Sequence, residues 1–456
     1  MSASSALAER QRLILQGPIL SSILRLATPN IFSIAAQTAV SIADAWFVGQ
    51  LGTVPLAALA LVFPTQMLMG MMSAGAMGGG VSSAVARALG AGNRERAALI
   101  ATHAMQLGLF MSMLFAVVFV LFGPTVFSLL GGRGPVLDGA VSYGRILFLG
   151  APAVWLANMF ASVLRGGGDT ATPARALVLG ALVQIPLCGA LTLGLGPIPA
   201  LGIAGPPTAA VTSFLLSALI MALHLLGRTA AVDVRAAAWR PDPQIWGDLL
   251  RVGGVSSLVV LLTNATIMAV TALIGRAGAS ALAGYGIGSR LEYMLIPISF
   301  GVGAALTAMV GSNFGARQHR RARHIAWTGA AISGGLAALV GLFVAAAPQL
   351  WLDLFTTDQP VLEQGALYLR TVGPVYGLFG FAMALYFASQ GTGSMLWPLA
   401  ANLVRITIAI GGGLLVLDVL DLGQTALFVC VAAAIAAFAI TLLGSTFSRT
   451  WMPRAS

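Results

Sequence analysis

The second half of this 456-residue chain repeats the first about 225 residues on. Pro135-Val136-Leu137-Asp138 returns as Pro360-Val361-Leu362-Glu363, and Tyr143 and Arg145 return as Tyr368 and Arg370. Gly90-Ala91 returns as Gly315-Ala316, and Gly166, Gly168 and Pro173 as Gly391, Gly393 and Pro398. Arg25, Gly49, Gly52, Leu56 and Ala57 return with a one-residue slip, as Arg251, Gly275, Gly278, Leu282 and Ala283. Collinear matches along the whole chain mean two copies of one structural unit. Duplicated apolar bundles place their pathway at the interface between the repeats.

Each copy is built for hydrocarbon. Apolar residues make up 58% of the chain and charged residues 8%, against about a quarter charged in a soluble domain. Uncharged runs of about 20 residues span a bilayer as helices, and these runs lack the alternating pattern of barrel strands. We place six spans per half, twelve in all. They run near 27–49, 55–86, 98–130, 139–164, 176–196 and 203–227, then 251–275, 281–312, 325–350, 364–390, 396–417 and 423–447. The expected organisation is a first lobe over 1–227, a polar linker over 228–248 with an interfacial helix, and a second lobe over 249–456. Ala6–Gln16 reads as a short amphipathic lead-in on the membrane surface. It has no signal-peptide architecture.

Charge orients the chain. All 24 basic residues are Arg. Arg10, Arg12, Arg25, Arg87, Arg94, Arg96, Arg165, Arg175, Arg228, Arg235, Arg240, Arg251, Arg317, Arg320, Arg321, Arg323, Arg449 and Arg454 fall on one side of the predicted spans. The other side carries Arg133 and Arg276 with Asp138, Asp353, Asp358, Glu363, Asp418 and Asp421. The positive-inside rule then places both termini and the linker in the cytoplasm. Basic loops against anionic lipid headgroups account for the net charge of +10 without any nucleic acid. With an even number of spans per half, the repeats are parallel, related by an axis along the membrane normal.

Chemistry must come from polar groups within the spans. Asp44 lies deep in the first, and Gln37, Ser41 and Asp44 share one helix face at i, i+4, i+7. A carboxylate is costly in hydrocarbon, so it either faces a cavity and binds a cation or proton, or is solvated near the interface or caps a helix. The repeat places Val270 opposite Asp44, so this acid belongs to one half only. Glu292 either lines a cavity in the second half or sits with Arg290 at the outer interface. Arg405 and Asn402 form a candidate buried pair with a structural role. Asn158, Gln184 and Asn264 either line the cavity or tie helices together. Met67 leads a methionine-rich stretch (Met69, Met71, Met72, Met77) that suits a repacking substrate surface or serves as filler. Pro29, Pro64, Pro152, Pro186, Pro297 and Pro374 allow kinks. Cys188 and Cys430 read as buried thiols, the four His are scattered, and no Walker lysine exists in a chain without Lys. We therefore expect no cofactor and no metal site.

Seven ordered segments carry a family resemblance. They are Leu26-Ala-Thr-Pro29, Ile42-Ala-Asp44-Ala-Trp-Phe-Val-Gly49-Gln-Leu-Gly52, Arg87-Ala-Leu-Gly-Ala-Gly-Asn93, Leu164-Arg-Gly-Gly-Gly-Asp169-Thr170, Gly202-Ile-Ala-Gly205, Ser289-Arg-Leu-Glu292 and Gly311-Ser-Asn-Phe-Gly315-Ala316. Together they resemble the multidrug and toxic compound extrusion (MATE) transporters, most of all their DinF-like branch. The resemblance implies a V-shaped pair of six-helix lobes in a bacterial inner membrane. It further implies efflux of cationic or amphipathic compounds against a proton or sodium gradient. Asp44 matches the family's ion-binding acid in the first helix, and Asn158 its pocket amide in the fourth. In the fifth helix some members carry an amide and, four residues later, a second acid; here Gln184 and Cys188 stand there. Losing that carboxylate favours a proton over sodium. Thr208, with Thr212, is a candidate to add oxygens near Asp44. A lipid-linked oligosaccharide flippase of the same superfamily is the alternative, with Arg145, Arg290, Arg370 and Arg405 as its only candidate cationic groups. A membrane enzyme would need a catalytic constellation that the sequence lacks. A channel would not drive uphill flux.

Overall fold

The computed structural model describes residues 3–194, 199–227, 231–234 and 240–452, without the side chains of residues 3–8, 293, 294, 296 and 297. Arg228, Arg235 and Arg454, counted above in the charge bias, lie outside the described residues, as does the side chain of Pro297. Every regular element described is helical. A surface helix α1 (Ala3–Gln16) leads into the spanning helices of the first half. These are α2 (Ile19–Gly49), α3 (Thr53–Gly90), α4 (Arg94–Leu129), α5, α6 (Ala171–Leu193) and α7 (Gly205–Leu225). Helix α5 is a bent pair, Gly134–Leu149 and Ala151–Gly166, turning by 47° where Gly150 and Pro152 interrupt it. The second half comprises α8 (Pro243–Gly275), α9 (Ala279–Gly315), α10 (His319–Ala346), α11 (Gln359–Thr392), α12 (Leu396–Val419) and α13 (Gly423–Ser445). Pro374 lies in a 3-10 turn (Gly373–Val375) inside α11. Among the described residues, eleven helices are long and apolar enough to cross a membrane, and the bent pair makes a twelfth. Leu121, Leu223, Leu339 and Ile440 are among many large apolar side chains left exposed, as a lipid-facing surface requires.

Two boundaries differ most from the sequence expectation, by eight residues each. Helix α2 begins at Ile19, eight residues early, because Pro18 supplies a favourable start and Arg25 is tolerated at the membrane surface. The interfacial helix expected within the linker is the start of α8. Asp242 caps it by accepting from the Gln244 amide at 2.8 Å, and Pro243 occupies the first helical position.

The one-residue slip in the repeat has a physical location. Helices α3 and α9 are repeat mates with matching starts, each preceded by a glycine at φ 111° (Gly52 and Gly278). They also have matching ends, at Gly90 and Gly315. Yet α3 has 38 residues and α9 has 37. The extra residue is taken up by a π-helical segment, Met71–Met77, inside α3. Asn158 of α5 steadies this segment by donating to Ser73 Oγ at 2.9 Å.

Packing follows the duplication. Helix α2 packs on α6 of its own half and on α9 of the other; its mate α8 packs on α12 and on α3. The two halves meet most closely near the Arg-rich ends of α3 and α9. A Cβ on Gly90 would lie 2.0 Å from the Ser312 carbonyl oxygen, and one on Gly315 2.1 Å from that of Arg87. Gly80 meets Gly253 in the same way. Polar bonds lock the crossing: Ser83 donates to the Gln390 carbonyl, and Arg87 donates to Ser83 and, at 3.2 Å, to the Gly391 carbonyl. Gln390 Nε2 donates back to the Gly75 carbonyl at 3.0 Å. Because backbone here meets backbone, Gly90→Ala is expected to cost about 2 kcal/mol and to lower the melting temperature in detergent by several degrees. Gly70→Ala, whose Cβ would meet nothing within 4 Å, should leave it unchanged or slightly raised; equal effects at the two sites would contradict the crossing.

Candidate functional site

The far end of α2 from that crossing carries Asp44 against α6. Its side chain is 6% exposed. Oδ2 accepts from Gln184 Nε2 at 3.3 Å, while Oδ1 is buried with no partner. Cys188, one turn further along α6, lies beside the same carboxyl, and its sulfur is 3.7 Å from Thr192 Oγ1. Next to Asp44 is a cavity of about 310 Å³ whose walls include Ser41, Leu59, Phe63, Gln66 and Tyr143. The Tyr143 hydroxyl donates to Gln66 Oε1 at 3.3 Å. The result is a mostly apolar chamber with one carboxylate, an amide and a phenol, the composition of a site for an amphipathic ligand.

The other candidates divide. Ser41 lines the cavity; its hydroxyl bonds its own helix at the Gln37 carbonyl, 3.2 Å away. Gln37 lies on the same helix face, half-buried. Met67 is 49% exposed, and Gln66 lines the cavity instead. Successive residues on a helix point about 100° apart, so only one of the two faces inward. Asn158 is tied to the π segment, Asn264 bonds its own helix at Val260, and Thr208 and Thr212 bond the carbonyls of Ala204 and Thr208. Pro29 lies inside α2, on the half of the helix that packs against the second repeat. The expected Arg405–Asn402 pair does not form. Asn402 donates to Thr263 Oγ1 at 3.0 Å, and the Arg405 guanidinium lies over the rings of Phe379 and Phe438, 5.9 and 5.7 Å away.

Glu292 and Arg290 point apart, as neighbours on a helix must. Arg290 is exposed and sits over Phe355 at 5.3 Å, whereas Glu292 accepts a hydrogen bond from the Tyr368 hydroxyl. This second contact is the repeat image of the first. Tyr143 is the mate of Tyr368, and Gln66, lying before the π segment, is the mate of Glu292. Each half thus joins its second and fourth spans by a tyrosine hydroxyl held by a side-chain carbonyl oxygen. Sequence reasoning missed Tyr143 and Gln66 as site residues. The return of Tyr143 as Tyr368 was the available signal.

Twelve candidate spans in two repeats, with a buried acid beside a mostly apolar cavity, define a polytopic membrane protein of the duplicated kind that secondary transporters use. The MatE family model matches residues 29–189 and again 256–415, once in each repeat, and the chain belongs to that family. It is 29% identical to a protein of Shewanella oneidensis named FAD transporter, over 87% of each chain. It is 28% identical to the probable multidrug resistance protein YoeA of Bacillus subtilis, over 78% of this chain and 77% of that one. Among solved structures, a MOP superfamily transporter from Pyrococcus furiosus, described as having a binding pocket of reversed polarity, matches with a TM-score of 0.88 and 25% identity. That match covers 97% of this chain and 98% of the other. An outward-facing multidrug resistance MATE transporter matches with a TM-score of 0.84 and 26% identity, over 95% and 96%.

An orphaned carboxylate oxygen costs more than an orphaned amide. Asp44→Asn should therefore raise the melting temperature in detergent at pH 8 by a few degrees, as substitutions that relieve a strained functional site do. A lower midpoint than wild type would mean that the carboxylate is already satisfied.

Proposed function

We propose that the protein exports amphipathic organic cations in exchange for protons, with Asp44 as the exchange group. The observation that carries this reading is the buried Asp44 carboxyl, held by Gln184 and by nothing stronger than the Cys188 thiol on its other side, next to a mostly apolar cavity. A proton or a cationic ligand is what such a carboxyl lacks. When the chamber opens outward, a proton neutralises the carboxyl and the cation loses its counter-charge and leaves. After reorientation, a cation entering from the other side restores the carboxylate as the proton departs. Gln184 holds Oδ2 throughout, so the carboxyl keeps its position while its charge changes. Cys188 supplies a soft sulfur where sodium would want a hard oxygen, which supports proton over sodium. Tyr143 and Gln66 hold the chamber wall.

In this reading residues 1–227 and 249–456 move as two lobes joined by the 228–248 linker. The Arg-rich face is cytoplasmic, with both termini on it, in a bacterial inner membrane. The crossing of α3 and α9 closes that face, while the Asp44 chamber lies towards the opposite one. The relatives named for multidrug resistance support drug substrates. The relative named for FAD transport directs that an anionic dinucleotide be assayed as well. Arg290 and Arg405 are each engaged with aromatic rings rather than gathered at the Asp44 chamber, which speaks against a pyrophosphate carrier.

The test is uphill movement of a cationic dye and of FAD in proteoliposomes under a proton gradient or a sodium gradient. Dye flux driven by protons, falling to the level of empty vesicles in Asp44→Asn, is expected. Cys188→Asp should add a sodium dependence. Flux driven by sodium alone in wild type, or FAD carried in place of dye, would overturn the proposal.

A further inference from the structure

Helix α1 is not a passive lead-in. It lies across the seam between the halves and is bonded to both. On the first half, Arg10 Nη1 donates to Asp169 Oδ2 at 3.0 Å, and Gln11 Nε2 donates to the Leu89 carbonyl at 3.0 Å. On the second half, Asn313 Nδ2 donates to the Ile14 carbonyl at 3.1 Å, and Arg321 Nη2 to the Gly17 carbonyl at 2.5 Å. The receiving groups are built in. Asp169 is 4% exposed and also holds the Thr172 amide and hydroxyl at 3.0 and 2.8 Å. Asn313 is fully buried. A small cavity under α1 is lined by Gln11 and Ile14 together with Gly90 and Ser312, so α1 covers the point where α3 and α9 cross.

The seating of α1 is polar and releasable. Of its described apolar residues only Ile14 is buried. A cavity of about 380 Å³ separates α1 from the base of α2 and the 168–171 loop, with Leu13, Arg25, Leu26 and Pro29 on its walls. A helix that served only to complete a core would fill such a space.

We propose that α1 is a latch: it straps the two halves together over the α3–α9 crossing and must release one of them before the Arg-rich face can open. The argument is geometric. Parting the ends of α3 and α9 separates Leu89 and Asp169 from Asn313 and Arg321, and one rigid helix cannot keep both sets of bonds. Four polar contacts thus add to the barrier against opening, and their strength sets how often the face opens. Asp169 is the buried end of the Arg10 pin. Burial pushes its carboxyl up, but the Thr172 amide and the Arg10 guanidinium more than offset this and hold it below its ordinary value. With a depressed carboxyl, the pin is present at neutral pH and is lost only as the pH falls below the usual carboxylate range. His224 Nε2 also lies 3.5 Å from Asp169 Oδ2, so the pin sits in a small charged cluster and yields to ionic competition. This inference uses the alternating opening common to duplicated transporters but not the identity of the coupling ion or substrate.

Amide hydrogen exchange on the full-length protein in lipid nanodiscs tests it. One variant, Arg10→Gln with Gln11→Ala, removes both polar bonds to the first half; a second, Arg321→Gln, removes the Gly17 bond and leaves Asn313 as the remaining polar tie to the second half. Both are expected to speed exchange at residues 87–92 and 311–316 by roughly fivefold, the effect of losing about 1 kcal/mol. Arg10→Lys, which keeps the charge, should restore most of the protection. Neither Arg10 nor Gln11 is deeply buried, so these variants should fold. Faster exchange confined to α1, with the seam unchanged, would overturn the latch. So would a response to only one of the two variants, since that would make α1 an appendage of a single half.

Discussion

Everything in this molecule is arranged around one close approach, the backbone-to-backbone crossing of α3 and α9 at Gly90 and Gly315. No side chain fits between these helices, so the halves touch there through main-chain atoms and a few directed bonds from Ser83, Arg87 and Gln390. Lipid offers no hydrophobic drive for helices to associate, so close packing and buried hydrogen bonds must supply it. A contact of this kind is short-ranged: it is either made or lost, with little in between. That is the mechanical character a two-state opening needs. Keeping the tight seam at one end leaves the other end of α3 free to form, with α2 and α5, the walls of the Asp44 cavity.

The fold was legible because two independent patterns agreed. Apolar run length placed the spans, and the internal repeat placed them twice. The boundaries that moved furthest are at α2 and α8, where proline and a capping acid extend a helix beyond its apolar run. Asp44 and its neighbours Gln184 and Cys188 were also legible, because an acid in hydrocarbon stands out. Other amides were not. Asn158 and Asn264 look alike in sequence, yet one crosses to another helix and the other folds back onto its own. Whether a polar side chain reaches across or back depends on helix rotation, which composition does not encode. Met67 and Gln66 make the same point: a cavity selects one of two adjacent residues, and only the geometry says which.

The halves are alike in frame and unlike in charge. Each ties its second and fourth spans with a tyrosine, but the first half presents an amide to it and the second an acid. The first half then adds its own acid on α2, where the second half has Val270. Duplication has supplied a symmetric frame, and divergence has put the half-satisfied carboxyl on one side of it. A site that couples two events needs such inequality, since identical halves would respond identically.

The single extra residue in α3 also bears on ancestry. A one-residue insertion turns everything beyond it by about 100° around the helix axis unless the helix widens to absorb it. The π segment does so, keeping Gln66 on the chamber wall and Gly90 on the seam at once. Helix α9 places their mates, Glu292 and Gly315, without the extra residue. Two copies of the first half would place the odd turn on both sides, and two copies of the second would place it on neither. The gene for either half alone therefore no longer encodes the partner its own surface was shaped against. Neither half alone supplies both helix geometries that meet at the seam.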